Sequence, residues 1–301
     1  MLNNSTAIEP RAGLKYKINN KNSLSVGYGM HSQVQPTYFY FQEFADDDGN
    51  IGTHNKNLGF TKSNHYVVGY DLAVNKKSRI KVEVYYQNLY NVPVYKDTAT
   101  AFSMINFGST YRFIYPPELE NKGTGTNYGF EFTYEKFFSK SFFLLTTVSV
   151  YESKYMGSDG IERNTAYNGN YTGNVLAGKE WNFGKSKNKT FGLGGKITYA
   201  GGKRYTPIDT VASFIAEDAI EDMSQTNGAQ FKDYFRADLK VSYKVNMKTV
   251  THEFALDLIN LAGTKNVLKK TYIPAIAGES AQFVDEYQLG FFPVFYYKID
   301  F

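Results

Sequence analysis

The chain has 301 residues, a formal charge of +4, no cysteine, and 24 phenylalanines and 26 tyrosines distributed from end to end. That aromatic load excludes a disordered low-complexity chain, and the missing thiols exclude a disulfide framework and cysteine-based metal sites. Uncharged stretches such as 141–151 and 287–297 are only 11 residues long, so no helix of the roughly 20 apolar residues needed to cross a membrane is expected, and the opening residues 1–6 carry neither the basic nor the apolar part of an export signal.

Apolar residues recur with period 2 rather than 3.6, which predicts an all-β chain. The first run, 11–18, puts Ala12, Leu14, Tyr16 and Ile18 on one face and Arg11, Lys15 and Lys17 on the other. The second sets Leu24, Val26, Tyr28 and Met30 against Ser23, Ser25, Gly27, Gly29 and His31. Then follow 66–74 (Tyr66, Val68, Tyr70, Leu72, Val74), 80–86 (Ile80, Val82, Val84, Tyr86 against Lys81 and Glu83) and 128–135 (Tyr128, Phe130, Phe132, Tyr134 against Glu131, Thr133 and Glu135). Further strands are expected near 142–152, 173–183, 190–199, 232–245, 251–262 and 285–301, eleven in all.

The connections alternate between two kinds. Short turns fall at 19–22, 75–78, 138–141, 184–189 and 246–250, and long ones at about 35–63, 91–126, 153–172, 200–231 and 263–284. A compact soluble domain rarely holds even one structureless loop above about 15 residues, whereas short turns on one side and long loops on the other describe an outer-membrane barrel. The turns hold eight lysines (Lys21, Lys76, Lys77, Lys140, Lys185, Lys187, Lys189 and Lys248) and no acid, against 15 acids and 12 bases in the long loops. The two rims therefore face different surroundings. Apolar faces rich in Tyr and Phe suit lipid and its aromatic girdles, and charged opposite faces suit a wet lumen.

A barrel in lipid must pair every strand edge, and bacterial single-chain barrels have even strand numbers. Eleven is odd. With a short first turn, the first strand runs inward from the outer surface and the last also descends, so the expectation is the C-terminal part of a longer barrel, over residues 1–301, whose earlier strands and export signal lie outside this sequence.

Particular motifs agree. EPRAGLKY (9–16), NSLSVGYG (22–29), HSQVQP (31–36), YYQNLYNVP (85–93), LLTT (144–147), ESKYMGSDG (152–160) and YFRADLKVSY (234–243) together resemble the C-terminal barrel half of TonB-dependent outer-membrane receptors, in the branch with a carboxypeptidase-regulatory-like N-terminal domain. The resemblance implies a 22-stranded antiparallel transmembrane β-barrel, about half of it present here, in the outer membrane of a Gram-negative bacterium. It implies uptake of a nutrient ligand, with an N-terminal plug inside the barrel that contacts the TonB energising complex. The plug is not in this sequence. Phe295, Tyr297, Ile299 and Phe301 resemble the C-terminal signal read by the barrel-assembly machinery, and they suit outer-membrane lipid equally as ordinary outward-facing strand residues. Pro293 lacks a donor and is expected near the outer end of its strand or at a bulge.

Catalysis finds little support: His31, His54, His65 and His252 are scattered, and none has a metal-like partner one helical turn away. Asp46, Asp47, Asp48, Gly49 and Asn50 suggest calcium, but the sixth position from Asp46 is Ile51 and the twelfth Asn57, so the glycine and late glutamate of a calcium loop are missing. Gly192, Gly194 and Gly195 fall inside a strand with no helix after it, which points to close packing rather than phosphate binding. No metal or cofactor is expected. Basic residues alternate with acids and form no stripe, so nucleic acid is not expected. The ligand-binding candidates are loop aromatics: Tyr38, Phe39, Tyr40 and Phe41 after Pro36, Tyr115 beside Pro116 and Pro117, and Arg204 and Tyr205 beside Lys203. Loop-to-loop packing accounts for the same residues. Two other readings are a passive porin or adhesion barrel and a soluble carbohydrate-binding β protein.

Overall fold

The short turns are closed by their own side chains and backbone. Asn19 Oδ1 accepts the N–H groups of Lys21 and Asn22 at 2.8 and 2.9 Å, and Asn75 Oδ1 accepts that of Lys77 at 2.8 Å. Lys140 and Ser141 take φ values of 52° and 60°, the left-handed pair that a two-residue hairpin turn requires. The computed structural model describes residues 5–45, 49, 51–109, 114–275 and 282–301; Asp46–Asp48 and Asn50 of the acidic loop lie outside the described residues. Among those described, eleven long strands form one antiparallel sheet: β1 (Arg11–Lys17), β2 (Asn22–Gln33), β3 (Thr61–Asn75), β4 (Ser78–Tyr95), β5 (Leu119–Ser139), β6 (Phe142–Met156), β7 (Tyr171–Phe183), β8 (Lys189–Ala200), β9 (Tyr234–Asn246), β10 (Thr251–Ile259) and β11 (Phe292–Asp300). Each pairs with its neighbours in sequence, so sheet order is chain order. A short strand, Glu162–Asn164, extends the sheet beside the end of β6.

The register sorts side chains as the alternation predicts. Leu14, Val26, Val68, Val84, Phe130 and Val150 lie opposite one another across β1 to β6, each at least 42% exposed, on one continuous apolar face. One position along, Lys15, Ser25, Gly69, Glu83, Glu131 and Ser149 form the row of the other face. There Lys15 meets Asp71 at 3.3 Å, Arg79 meets Glu135 at 2.8 Å and Arg236 meets Asp238 at 2.7 Å. Two aromatic rows bound the apolar band. Tyr28, Tyr66, Tyr86 and Tyr128 stand in register towards the long-loop end, and Trp181, Phe191, Tyr243, Phe254 and Tyr297 towards the short-turn end. From Tyr66 to Val74 the apolar run covers about 26 Å of strand, which after tilt approaches the roughly 25 Å of a transmembrane barrel's outer band.

Three boundaries depart from the sequence reading. The loop expected at 91–126 is shorter, because β4 continues to Tyr95 and β5 begins at Leu119, with register shifts on either side of Val92. Pro93 has no N–H to give, and Asn91 takes φ 55°, so the pair of strands runs on through a kinked stretch that reads as a loop. The stretch 285–301 is not one strand: Gln282–Tyr287 pairs back on Val267–Ile273 inside the last long loop, and β11 starts only at Phe292. β10 ends at Ile259, short of 262. Pro293 does sit at the outer end of β11, opposite Leu258. Gly192 and Gly194 lie in β8 without a bulge; a Cβ on Gly192 would stand 2.4 Å from Ser242 Oγ, so the glycine admits its neighbour.

Candidate ligand site at the long-loop rim

The loops between β2 and β3 and between β4 and β5 fold together into a small core of their own. Pro36 ends the extended chain and a single turn of helix, Thr37–Phe41, follows. Phe39 (fully buried) and Tyr40 pack with Leu58, Val92, Met104 and Leu119. Phe39 lies 4.1 Å from the Tyr38 ring and meets Phe107 edge-on at 5.2 Å. Buried Asn55 ties the two loops, accepting from Leu119 N–H at 2.8 Å and donating to the Pro117 carbonyl at 3.3 Å. Of the predicted aromatics, Tyr38 and Tyr115 are brought within 6.4 Å of each other, and Tyr115, 71% exposed, presents the surface with half-buried Tyr38 beside it. Phe39 and Tyr40 lie beneath and support it.

Arg204 and Tyr205 belong to a second place. They form a two-residue strand paired with Ala229–Gln230, and Tyr205 stacks on Phe231 at 4.1 Å with the rings 15° apart. Arg204 donates to the Asn168 carbonyl at 3.0 Å and to Asn170 Oδ1 at 2.9 Å, which pins its loop to the one between β6 and β7. Next to this hairpin opens a cavity of about 340 Å³, walled by Phe102, Phe107, Tyr155, Tyr205 and Phe231 and edged by Asn106, Lys203, Glu221, Asn227 and Lys270. Lys203 donates to the Ser109 carbonyl, and burial pushes its ammonium pKa below the usual value. No carboxylate among the described residues pairs with it, whereas Lys270 meets Asp285 at 2.9 Å. The site therefore offers flat apolar walls, amide and hydroxyl groups, and one partly desolvated cation.

The cavity's frame is held by polar ties. Tyr155 donates to the Ala101 carbonyl at 2.9 Å, and Ser158 Oγ to that of Thr98 at 2.6 Å. Asp159 and Arg163 pair at 2.8 Å with both side chains nearly buried, and the Arg163 hydrogen bond holds the Asp159 carboxyl below the ordinary aspartate range. At the base of this loop Glu152 accepts from Asn168 at 3.0 Å and from Asn170 at 2.6 Å. Phe102, Phe107, Phe231 and Lys270 were not candidates from sequence; Lys270, beside Lys269 in a loop otherwise poor in charge, was the one available hint. Among the described residues no group of metal-ligating side chains gathers. Phe295, Tyr297 and Ile299 share the outward face of β11, and Phe301 follows the strand, 98% exposed.

Residues 2–261 match a family model described as TonB dependent receptor-like, beta-barrel. No curated protein sequence matches the chain. Among solved structures it is similar to the outer membrane transporter YddB from Escherichia coli (13% identity, TM-score 0.59, covering 97% of this chain and 40% of that one). It is also similar to the ferric yersiniabactin uptake receptor FyuA from Yersinia pestis (12%, 0.57, 97% and 36%) and to the ferripyoverdine receptor of Pseudomonas aeruginosa bound to ferripyoverdine (13%, 0.57, 97% and 32%). At such identities the likeness is one of fold, and the chain spans about a third of the length of the structures it matches.

Proposed function

The chain belongs to the TonB-dependent receptor-like β-barrel family of the Gram-negative outer membrane, and from that premise we propose that it forms the C-terminal wall of a receptor that takes up a nutrient ligand from outside the cell. The observation that carries this is the aromatic-walled cavity at the long-loop end of the sheet, where a ligand arriving from the medium first meets ordered side chains. Tyr205 and Phe231 supply a stacking wall, Lys203 a charge, and Tyr38 with Tyr115 a second aromatic surface on the adjacent loops. The remaining strands of a 22-stranded barrel, a plug within it and, in the branch suggested by the motifs, a carboxypeptidase-regulatory-like N-terminal domain complete the receptor. Energy comes from TonB acting through the plug, and the barrel-assembly machinery reads the C-terminal aromatics. The charged lumen face, with ion pairs between and within strands, fits a wall that surrounds polar protein rather than a soluble sandwich core.

The test is growth of the gene-deletion strain on single iron, vitamin, peptide and glycan sources beside its parent, with and without TonB. A defect on one class of source that loss of TonB reproduces supports the reading. A defect that is indifferent to TonB makes the chain part of a passive porin instead.

A further inference from the structure

Beyond ligand uptake, the lysines of the short-turn rim have no work to do in the reading above, and their placement is uneven. Of the eight, Lys21, Lys76, Lys77, Lys140, Lys185, Lys187 and Lys248 are exposed and Lys189 is half-buried. None of the eight takes part in an ion pair among the described residues, while Lys15, Lys81, Lys154, Lys244 and Lys270 elsewhere each have a carboxylate within 4.0 Å.

Two more lysines stand on the lipid-facing surface just inside that rim. Lys136 of β5 holds its Nζ 4.9 Å from the Phe142 ring, and Lys179 of β7 holds its Nζ 5.4 Å from the ring of Trp181. Phe142 is the cross-strand partner of Lys179, and Lys179 in turn faces Leu193 two positions from Phe191. Lys189 opens β8 on the same outward face, opposite Phe183. The acids of these strands, Glu131, Glu135 and Glu180, alternate onto the lumen face. Two ammonium groups, those of Lys136 and Lys179, thus stand over Phe142 and Trp181 at the level of the girdle, with Lys140 on the turn below and no acid on their side; Lys189, level with Phe183, lies further along the sheet. Long lysine stems lie along apolar surface and carry their charge to the lipid headgroups, and a cluster of lysines beside a membrane surface is attracted to anionic lipid.

We propose that Lys136, Lys140 and Lys179, around Phe142 and Trp181, form a headgroup site for an anionic phospholipid in the periplasmic leaflet of the outer membrane. Its phosphate bridges the ammonium groups and its glycerol lies against the two rings.

Trp181, the only tryptophan of these 301 residues, is a reporter inside the site. The receptor, extracted from its own outer membrane, is placed in nanodiscs containing bromine-labelled phosphatidylglycerol or bromine-labelled phosphatidylethanolamine at equal mole fraction. The signal of the Trp181→Phe variant is subtracted so that only Trp181 is read. The expected result is several-fold stronger quenching by the anionic lipid. That preference disappears in the variant Lys136→Gln, Lys140→Gln, Lys179→Gln and persists when the same three are changed to Arg. Equal quenching by the two lipids, or a preference untouched by the glutamine changes, overturns the site. If the glutamine variant fails to assemble, a salt titration of the unaltered receptor decides, because a charge-based preference collapses at high ionic strength and one that survives salt refutes it. Sedimentation with peptidoglycan in the absence of any lipid preference also counts against the proposal. None of these readouts uses the nutrient ligand, so they stand or fall apart from the uptake reading.

Discussion

Replacing Phe39 by Ala tests whether the outer loops form a folded unit separate from the strand wall. Phe39 is fully buried, and its ring contacts Tyr38 at 4.1 Å and Phe107 at 5.2 Å within a cluster drawn from two long loops. Truncating a buried phenylalanine costs about 3–5 kcal/mol, from lost transfer energy and the hole left behind. At about 1.4 kcal/mol per factor of ten, the lower figure multiplies the open population of these loops by roughly a hundred. No strand pairing passes through the Phe39 ring, so the loss stays local. Hydrogen exchange at 37–41 and 104–107 should accelerate by about two orders of magnitude, and a protease should nick the first two long loops, while the strand amides of β7 to β10 keep their protection. Phe41, on the same turn of helix but 55% exposed, is the control; its change to Ala should cost less than about 0.5 kcal/mol. Unchanged exchange in Phe39→Ala, or a uniform loss of protection through the sheet, would refute the idea of a separately folded loop core.

Further outcomes follow from other contacts. Asp159 has a folded-state pKa depressed by its hydrogen bond with Arg163, so its contribution is fully present above the unfolded value of about 3.9 and is lost as pH falls through the lower folded value. Exchange protection at 157–164 should therefore stay level from neutral pH to about 4 and drop below it, with Asp159→Asn showing the weakened level at every pH; a drop nearer neutrality would implicate another group. A Cβ on Gly201 would lie 1.8 Å from the Gly169 carbonyl oxygen whereas Gly27 has nothing within 4 Å, so Gly201→Ala should disorder the Arg204 hairpin and reduce uptake while Gly27→Ala leaves both unchanged. Spin labels at 239 and 241 should relax with a lipid-soluble agent and those at 238 and 240 with an aqueous one; the reverse pattern would turn the wall inside out. Deleting Phe301 from the full receptor should lower surface levels further than one exposed side chain's contacts explain, and normal levels would leave it an ordinary terminal residue.

What could be read in the sequence was whatever the two environments of the wall imposed on alternate residues. Ile80, Val82, Val84 and Tyr86 announced a strand because every second position is apolar while Lys81 and Glu83 carry charge to the other face, and the same contrast located all eleven strands. Where that contrast vanishes, so does the signal. Val92, Pro93 and Val94 are all buried, so both sides of the chain are covered where β4 is wrapped by loops. Added to Asn91 and Pro93, this hid the last third of the strand. The segment 282–287 was merged with β11 because its aromatic pattern continues into Phe291 and Phe292; the exposed Gly290 between them marks the break. In the candidate site, Tyr205 could be picked out as a loop aromatic beside cations. Its stacking partner Phe231 and the wall residues Phe102 and Phe107 come from distant parts of the chain, and no local spacing encodes their meeting.

Because every strand pairs only with its sequence neighbours, the wall of the proposed receptor can be extended one hairpin at a time, each hairpin then carrying a single long loop across the bilayer while its lysine turn stays behind. The loops cannot travel in their finished shape. Asn55 joins the loop after β2 to Leu119 and Pro117 at the entrance of β5, and the Phe39 cluster gathers side chains from both sides of the same pair of hairpins. These contacts come into being only once both loops have reached the outer side. Assembly therefore has a built-in sequence, with translocation of unstructured polar chain first and consolidation of the cell-surface cap afterwards, and a cap that folded early would block the passage of its own hairpin.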